Sequence, residues 1–258
     1  MSSRTYRWWR AALVAGAVLV LAGCAYERQR AQRDSKLVAI RTELGAGFLE
    51  RGQLALAQEE IQKALALNPD DSEANNVMAL VQARLQRNRR AEHYFERAVS
   101  SNPGNAGAQN NFGIFLCQTG RTRRALKHFA KAIADPLNPS QQWANANAGS
   151  CLLHAHRPAQ AAAYFRRAMS LQPGMPVALL GLARADWAQG KAVAAEANLR
   201  QYLRTGTPSP QSLLLGVEIE HALGHLDQQA TYALKLMAHY PNSVQAKQLQ
   251  QLTSEGAL

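Results

Sequence analysis

The sequence predicts an all-α protein whose helices pair into hairpins and stack as a right-handed α-solenoid, and three observations carry that expectation. Prolines recur at Asn68-Pro69, Asn102-Pro103, Asn138-Pro139, Gln172-Pro173 and Tyr240-Pro241, at spacings of about 34 residues or near multiples of it. Upstream of them the same small and apolar slots return. Gly-containing turns, at Arg51-Gly52, Thr119-Gly120-Arg121, Gln189-Gly190-Lys191 and Leu223-Gly224-His225, fall where a helix pair must reverse.

A period of about 34 residues is that of the tetratricopeptide (TPR) helix-turn-helix repeat, so residues 37–250 are expected to hold about six repeats. The first repeat places Leu44-Gly45, Ala57 and Ala64 in the slots, and the second Ala79, Ala91, Phe95 and Ala98. The third uses Phe112-Gly113, Ala125, Phe129 and Ala132, and the fourth Gly149, Ala161, Phe165 and Ala168. Two extra residues enter around Asp135-Pro136. A weaker fifth repeat has Leu182-Ala183, Ala195 and Leu199; a sixth, near Pro210 to Pro241, loses most small residues, as expected of a solenoid cap. Gly or Ala in the first helix (helix A) and Ala early in the second (helix B) let the backbones approach closely. Phe or Leu further along helix B fills the space toward the next repeat. The proline cannot continue helix B and resets the chain. Residues 251–258 are expected as a C-terminal tail.

Ahead of the repeats lies a leader. Arg4, Arg7 and Arg10 precede a short apolar run from Ala11, which closes in Leu21-Ala22-Gly23-Cys24. That run is too short for a spanning helix, which needs about 20 residues. The layout is a secretory signal peptide over residues 1–23 with a lipobox, so Cys24 is expected to be acylated and to become the new N-terminus. The competing readings are an uncleaved anchor or an ordinary signal peptide with an incidental Cys. Two or more acyl chains hold a protein stably on a membrane where one does not. In proteobacterial lipoproteins an acidic residue after the modified Cys signals inner-membrane retention. Ala25 stands there, so the expected location is the outer membrane, lipid-anchored and facing the periplasm. The polar stretch in residues 24–36 is expected as a flexible tether.

Charge narrows the partners. The chain has 29 Lys and Arg against 18 Asp and Glu; without residues 1–23, 26 remain against the same 18, a net of +8. No block of five or more basic residues occurs, and an envelope compartment holds no chromosomal DNA, so nucleic acid is not an expected partner. Arg84, Arg87, Arg89 and Arg90, with Arg121, Arg123 and Arg124 one repeat later, read as solvated loop ends facing anionic lipid or an acidic partner.

Binding is expected on the face lined by the A helices, where TPR solenoids receive extended peptides or partner helices. Asn76 and Asn110 recur one repeat apart, as do Asn111 and Asn147 once the insertion is allowed for. A carboxamide ladder can bond both N–H and C=O of an extended backbone without reading its sequence. Leu49, Leu80, Ile114, Trp143 and Leu153 lie beside it as apolar seats. Each Asn taken singly also reads as a helix cap or a partner of its neighbours.

Cys117 and Cys151 sit on the A helices of repeats three and four. In an oxidising compartment they are expected as a disulfide; buried free thiols or a metal pair are the alternatives, and two Cys without convenient His fall short of tetrahedral ligation. His221 and His225 have i,i+4 spacing, but Gly224 should end their helix, and His154 and His156 diverge at a helix end. No metal, no cofactor and no catalytic residue is expected: no Gly-x-Ser-x-Gly, phosphate loop or convergent acid pair appears, and the chain reads as a non-enzyme.

The stretch Asn110-Asn111-Phe112-Gly113-Ile114-Phe115-Leu116-Cys117-Gln118-Thr119-Gly120-Arg121 closely resembles the third-repeat motif of the type IV pilus biogenesis and stability lipoproteins called PilW or PilF. Asn145-Ala146-Asn147-Ala148-Gly149-Ser150-Cys151 resembles their fourth-repeat motif, and the likeness covers nearly the whole mature chain. Arg124 stands before Ala125 where that family usually has an acidic residue. The resemblance implies a pilotin, an outer-membrane lipoprotein that binds the type IV pilus secretin and promotes its outer-membrane localisation and multimerisation. It also implies lipidation at Cys24, a disulfide between Cys117 and Cys151, and a monomer. A general envelope scaffold for peptidoglycan enzymes or outer-membrane assembly factors is the alternative, and a hydrolase accessory a third reading.

Overall fold

The computed structural model describes the backbone of residues 3–256 and the side chains of residues 27–256. Among the described residues the chain is all helix: α1 (Ser3–Glu50), α2 (Leu54–Leu67), α3 (Ser72–Arg84), α4 (Asn88–Ser101), α5 (Ala106–Gln118), α6 (Thr122–Ala134) and α7 (Gln141–His154), followed by α8 (Pro158–Leu171), α9 (Pro176–Trp187), α10 (Ala192–Thr205), α11 (Pro210–Leu223), α12 (Leu226–His239) and α13 (Val244–Ser254). They form two compact units that divide between Ala108 and Gln109, inside α5.

The repeat ends are built alike because the residue before each proline is sterically driven out of the helical region. Asn68, Asn102 and Gln172 hold φ near −137° and ψ of 95°, 92° and 92° before Pro69, Pro103 and Pro173. The reversals inside the hairpins need a left-handed residue. Gly52, Gly120, Gly190 and Gly224 supply it with φ between 71° and 77°. At the same point in the second and fourth repeats, Gln86 and His156 adopt φ of 57° and 54°, a conformation that disfavours a side chain.

In the first unit, the C-terminal part of α1 pairs with α2, and α3 pairs with α4. A Cβ on Gly45 would lie 2.6 Å from the Ile61 side chain, so the absent side chain is what lets Ile61 seat on α1. Val38, Ile61, Ala64, Ala74, Val77 and Met78 form the core there. Arg41 of α1 donates to Glu60 of α2 at 2.8 Å. The loop after α2 is held by Arg97, whose guanidinium donates to the Pro69 carbonyl at 2.6 Å and to Asp70 at 3.1 Å.

In the second unit the wedges of the third, fourth and sixth hairpins are aromatic, and that of the fifth is Leu199. A Cβ on Gly113 would meet Phe129 at 2.7 Å, and one on Gly149 would meet Phe165 at 2.9 Å. Phe165 also lies against Gly181 of α9, so one ring locks two successive A helices. The cluster around it holds Ala146, Leu152, Ala161, Ala168, Met175 and Ala178. The sixth hairpin keeps the device: Gly216 faces Tyr232, with a Cβ-to-ring distance of 2.6 Å.

Two expected segment boundaries change. Residues 24–36, expected as a flexible tether, continue α1 as helix, because neither Gly nor Pro interrupts the chain between Gly23 and Gly45. An i,i+4 pair between Arg30 and Asp34 at 3.9 Å adds a little support. The expected tail from residue 251 is helical to Ser254, since α13 packs on α11 and α12 through Ala246 and Leu249. The side chain of the expected lipidation site, Cys24, lies outside the described residues, as do those of the leader. Among the described residues no helix is long and apolar enough to cross a membrane.

Candidate functional site

The A helices of the second unit, α5, α7 and α9, present side chains that are neither fully buried nor free. Asn110 and Asn147 are half-buried, and Asn147 donates its Nδ2 to Asn110 Oδ1 at 3.0 Å. This bond ties α5 to α7 and uses one donor and one acceptor of the two carboxamides. The Oδ1 acceptor of Asn147 and the Nδ2 donors of Asn110 are left to face a partner. Asn111 and Ile114 are half-buried on α5. Trp143, on α7, is 48% exposed, a large apolar surface to leave in water. Leu153 is half-buried and leans on the Phe165 cluster.

Beyond these lies a shallow groove of about 120 Å³ between α7 and α9. Leu153, Leu180 and Val177 form its apolar walls, Phe165 and Gly181 its floor, and Ser150, His154 and Arg184 its polar rim. Val177 is 39% exposed. Val177, Leu180 and Arg184 were not singled out from the sequence; the signal was available, because they fall one repeat after Trp143, Ala146 and Ser150. The A helix of the fifth repeat, α9, carries no asparagine to draw attention to them.

The expected ladder is therefore corrected at one rung and altered at another. Asn76, expected to face a peptide, is only 3% exposed and donates to Glu73 at 3.1 Å, so it is a packed residue of the first unit. Asn110 bonds Asn147 rather than standing open. Leu80 is half-buried on α3 of the first unit.

The structure joins Cys117 of α5 and Cys151 of α7 as a disulfide with Cα atoms 5.7 Å apart. It pins the same two helices as the Asn110–Asn147 bond. His128 of α6 packs against Phe112 in a tilted arrangement, 4.4 Å between ring centres, and its Nδ1 lies 2.8 Å from Gln109 Oε1. Burial, with Lys131 and Arg124 nearby, lowers its pKa to about 4. At the other end of the unit, His225 Nδ1 lies 2.8 Å from Glu220 Oε2. Gly224 at φ 74° ends α11 between His221 and His225, as its position implies. Glu196 lies close to that pair and is itself bound to Arg200. Glu220 is buried, and nothing in the i,i+4 spacing of the histidines pointed to it.

Paired helices closed by a small residue under a branched or aromatic one, repeated along the chain, define a tetratricopeptide-repeat protein. Tetratricopeptide-repeat models match residues 42–106, 76–139 and 116–176, and another matches 152–215. Among relatives, the type IV pilus assembly protein PilF of Pseudomonas aeruginosa is 28% identical over 208 residues, covering 81% of this chain and 82% of that one. A solved structure of Pseudomonas aeruginosa PilF superposes with a TM-score of 0.77, covering 84% of this chain and 98% of its own. That of PilW, described as a widely conserved type IV pilus biogenesis factor, gives a TM-score of 0.76 at 31% identity, over 83% of this chain and 98% of its own. The chain belongs to the PilF/PilW family of tetratricopeptide-repeat proteins.

Proposed function

We propose that this protein is a pilotin: an outer-membrane lipoprotein, anchored through Cys24 and facing the periplasm, that binds the type IV pilus secretin and promotes its localisation and multimerisation. The observation that carries the reading is the match to PilF and PilW along almost their whole length, in both sequence and fold. The half-exposed A-helix face of the second unit is the docking surface this reading assigns, with Trp143, Val177, Leu180 and Leu153 as apolar seats and Asn110, Asn111 and Asn147 as backbone partners. The mechanism needs no chemistry on this chain. The lipid holds the solenoid at the membrane, the solenoid holds a secretin segment, and monomers meet there at raised effective concentration. The test is membrane fractionation with and without the protein, following the secretin on a gel that preserves its multimers. Deletion should leave monomeric secretin, and Cys24→Ala should mislocalise or reduce the multimers. Normal multimers in the outer membrane without the protein would reject the pilotin and favour the envelope scaffold.

A further inference from the structure

The positive charge of this protein is not spread along it. Residues 37–108 hold eight Lys and Arg against nine Asp and Glu, and residues 206–258 hold two against four. Residues 109–205 hold twelve against three, a net of +9. Most of that excess lies on the B helices. On α6, Arg123, Lys127 and Lys131 recur every four residues, so they stand in one line along the helix, and all three are exposed. Exposed Arg166 and Arg167 follow on α8, and Arg200 and Arg204 on α10.

These helices form one layer. Leu126 of α6 packs on the cluster that contains Ala161, Phe165 and Ala168 of α8. Met169 of α8 packs on the cluster that contains Ala195 and Leu199 of α10. Asp186 of α9 ties the last two together, with Arg166 of α8 at 3.7 Å on one oxygen and Asn198 of α10 at 3.0 Å on the other. Of the three acids in the stretch, Asp186 is thus engaged with Arg166 and Glu196 with Arg200. Arg167 rests on the Tyr164 ring at 5.5 Å, which orients its guanidinium.

What lies between the cations identifies the partner's chemistry. Ala130, Ala163, Ala194 and Ala197 are exposed there, so the cations rise from a smooth ground. The large exposed apolar side chains of these helices, Leu171 and Val193, sit at helix ends. A protein partner is usually anchored by buried aromatic or aliphatic side chains in pockets. A broad cationic face with exposed alanines between its charges instead suits a fluid layer of negative headgroups, which needs no fixed register. We propose that the α6–α8–α10 face, with Arg123, Lys127, Lys131, Arg167 and Arg204, lies against the anionic headgroups of a phospholipid membrane. This rests on the membrane-tethered placement given above, and it gives the tethered second unit an orientation, leaving its A-helix face turned to the secretin.

The test uses the mature chain, residues 24–258, carrying Cys24→Ala so that no acyl chain contributes. Sedimentation with vesicles of phosphatidylglycerol and phosphatidylcholine is compared with phosphatidylcholine alone. Binding is expected to the first and not the second, and it should disappear at about 0.5 M salt. The triple variant Arg123→Glu/Lys127→Glu/Lys131→Glu should bind about a hundredfold more weakly or worse. Its fold is checked by circular dichroism. Arg89→Glu/Arg90→Glu, in the first unit, should bind as the parent does. Failure to bind phosphatidylglycerol at low salt, or equal loss in both variants, overturns the proposal; binding to polyglutamate without binding to vesicles overturns it in favour of an acidic protein. Because neither secretin nor acyl chain is present, failure here is distinct from failure of the pilotin reading, which secretin fractionation decides.

Discussion

The two units carry the same repeat and close it by different means. In the first, an aliphatic wedge, Ile61, seats on Gly45 in the leading hairpin, a buried ring, Phe95, fills the second, and the ion pair Arg41–Glu60 crosses between α1 and α2. In the second, aromatic rings seat on Gly113 and Gly149, Phe165 reaches a second A helix at Gly181, and a disulfide joins α5 to α7. Net charge differs in the same sense, near neutral in the first and strongly positive over residues 109–205. One period therefore tolerates several closures. The second unit has the more rigid ones where both the candidate docking groove and the basic face are built.

Removing the double wedge should have the largest effect. Phe165→Ala is expected to cost about 3–5 kcal/mol, because a fully buried ring is lost between two helices that cannot close on the gap. Ile61→Ala, which empties a single hairpin, should fall toward the lower end of about 2–5 kcal/mol. Urea unfolding of both variants measures the contrast; equal losses would break it. Next comes the disulfide. Its 34-residue separation predicts a contribution of about 4 kcal/mol from chain entropy, so dithiothreitol should lower the Tm by about 10 °C. An unchanged Tm would place the rigidity of the second unit in its aromatic wedges alone.

A smaller effect follows from His128. Its pKa in the folded chain is lowered from 6.5 to about 4, so the neutral form is favoured on folding. The unfolded chain takes up the proton first, and the stability contributed is complete above pH 6.5 and lost as pH falls toward 4. The ring is only half-buried, so the loss is modest, and His128→Gln should flatten the pH dependence of Tm over that window. The smallest effect is a gain. Gln86→Gly, at a φ of 57°, should stabilise the first unit by about 0.5–1 kcal/mol, read as a higher urea midpoint.

The hairpins could be read from residues because each reversal and each repeat end has a backbone requirement only certain residues meet. Gly at Gly120 and Gly190 and proline at Pro103 and Pro173 are visible without coordinates. Gln86 and His156 show that the requirement can also be met at a cost, which no residue preference announces. The tether was misread because polarity says a segment is solvated, whereas the lack of Gly and Pro from Cys24 to Leu44 says it can stay helical. The asparagines were the least legible. A carboxamide bonds a neighbour or a ligand equally well, and only geometry assigned Asn147 to Asn110 and buried Asn76. The basic face is only marginally visible in the sequence: of its cations, Arg123 alone falls in a cluster that reads as a loop end, and the alignment with Lys127, Lys131, Arg167 and Arg204 emerges only from the layer the B helices form.

The measurement that bears most directly on the account is secretin assembly in cells carrying Trp143→Glu and Val177→Glu together. Both positions are exposed on the A helices of the second unit, so the fold and Tm should be retained. If this face holds the secretin, the variant protein will fractionate with the outer membrane while the secretin remains monomeric. Full secretin multimers in that strain would contradict the assignment of the docking surface.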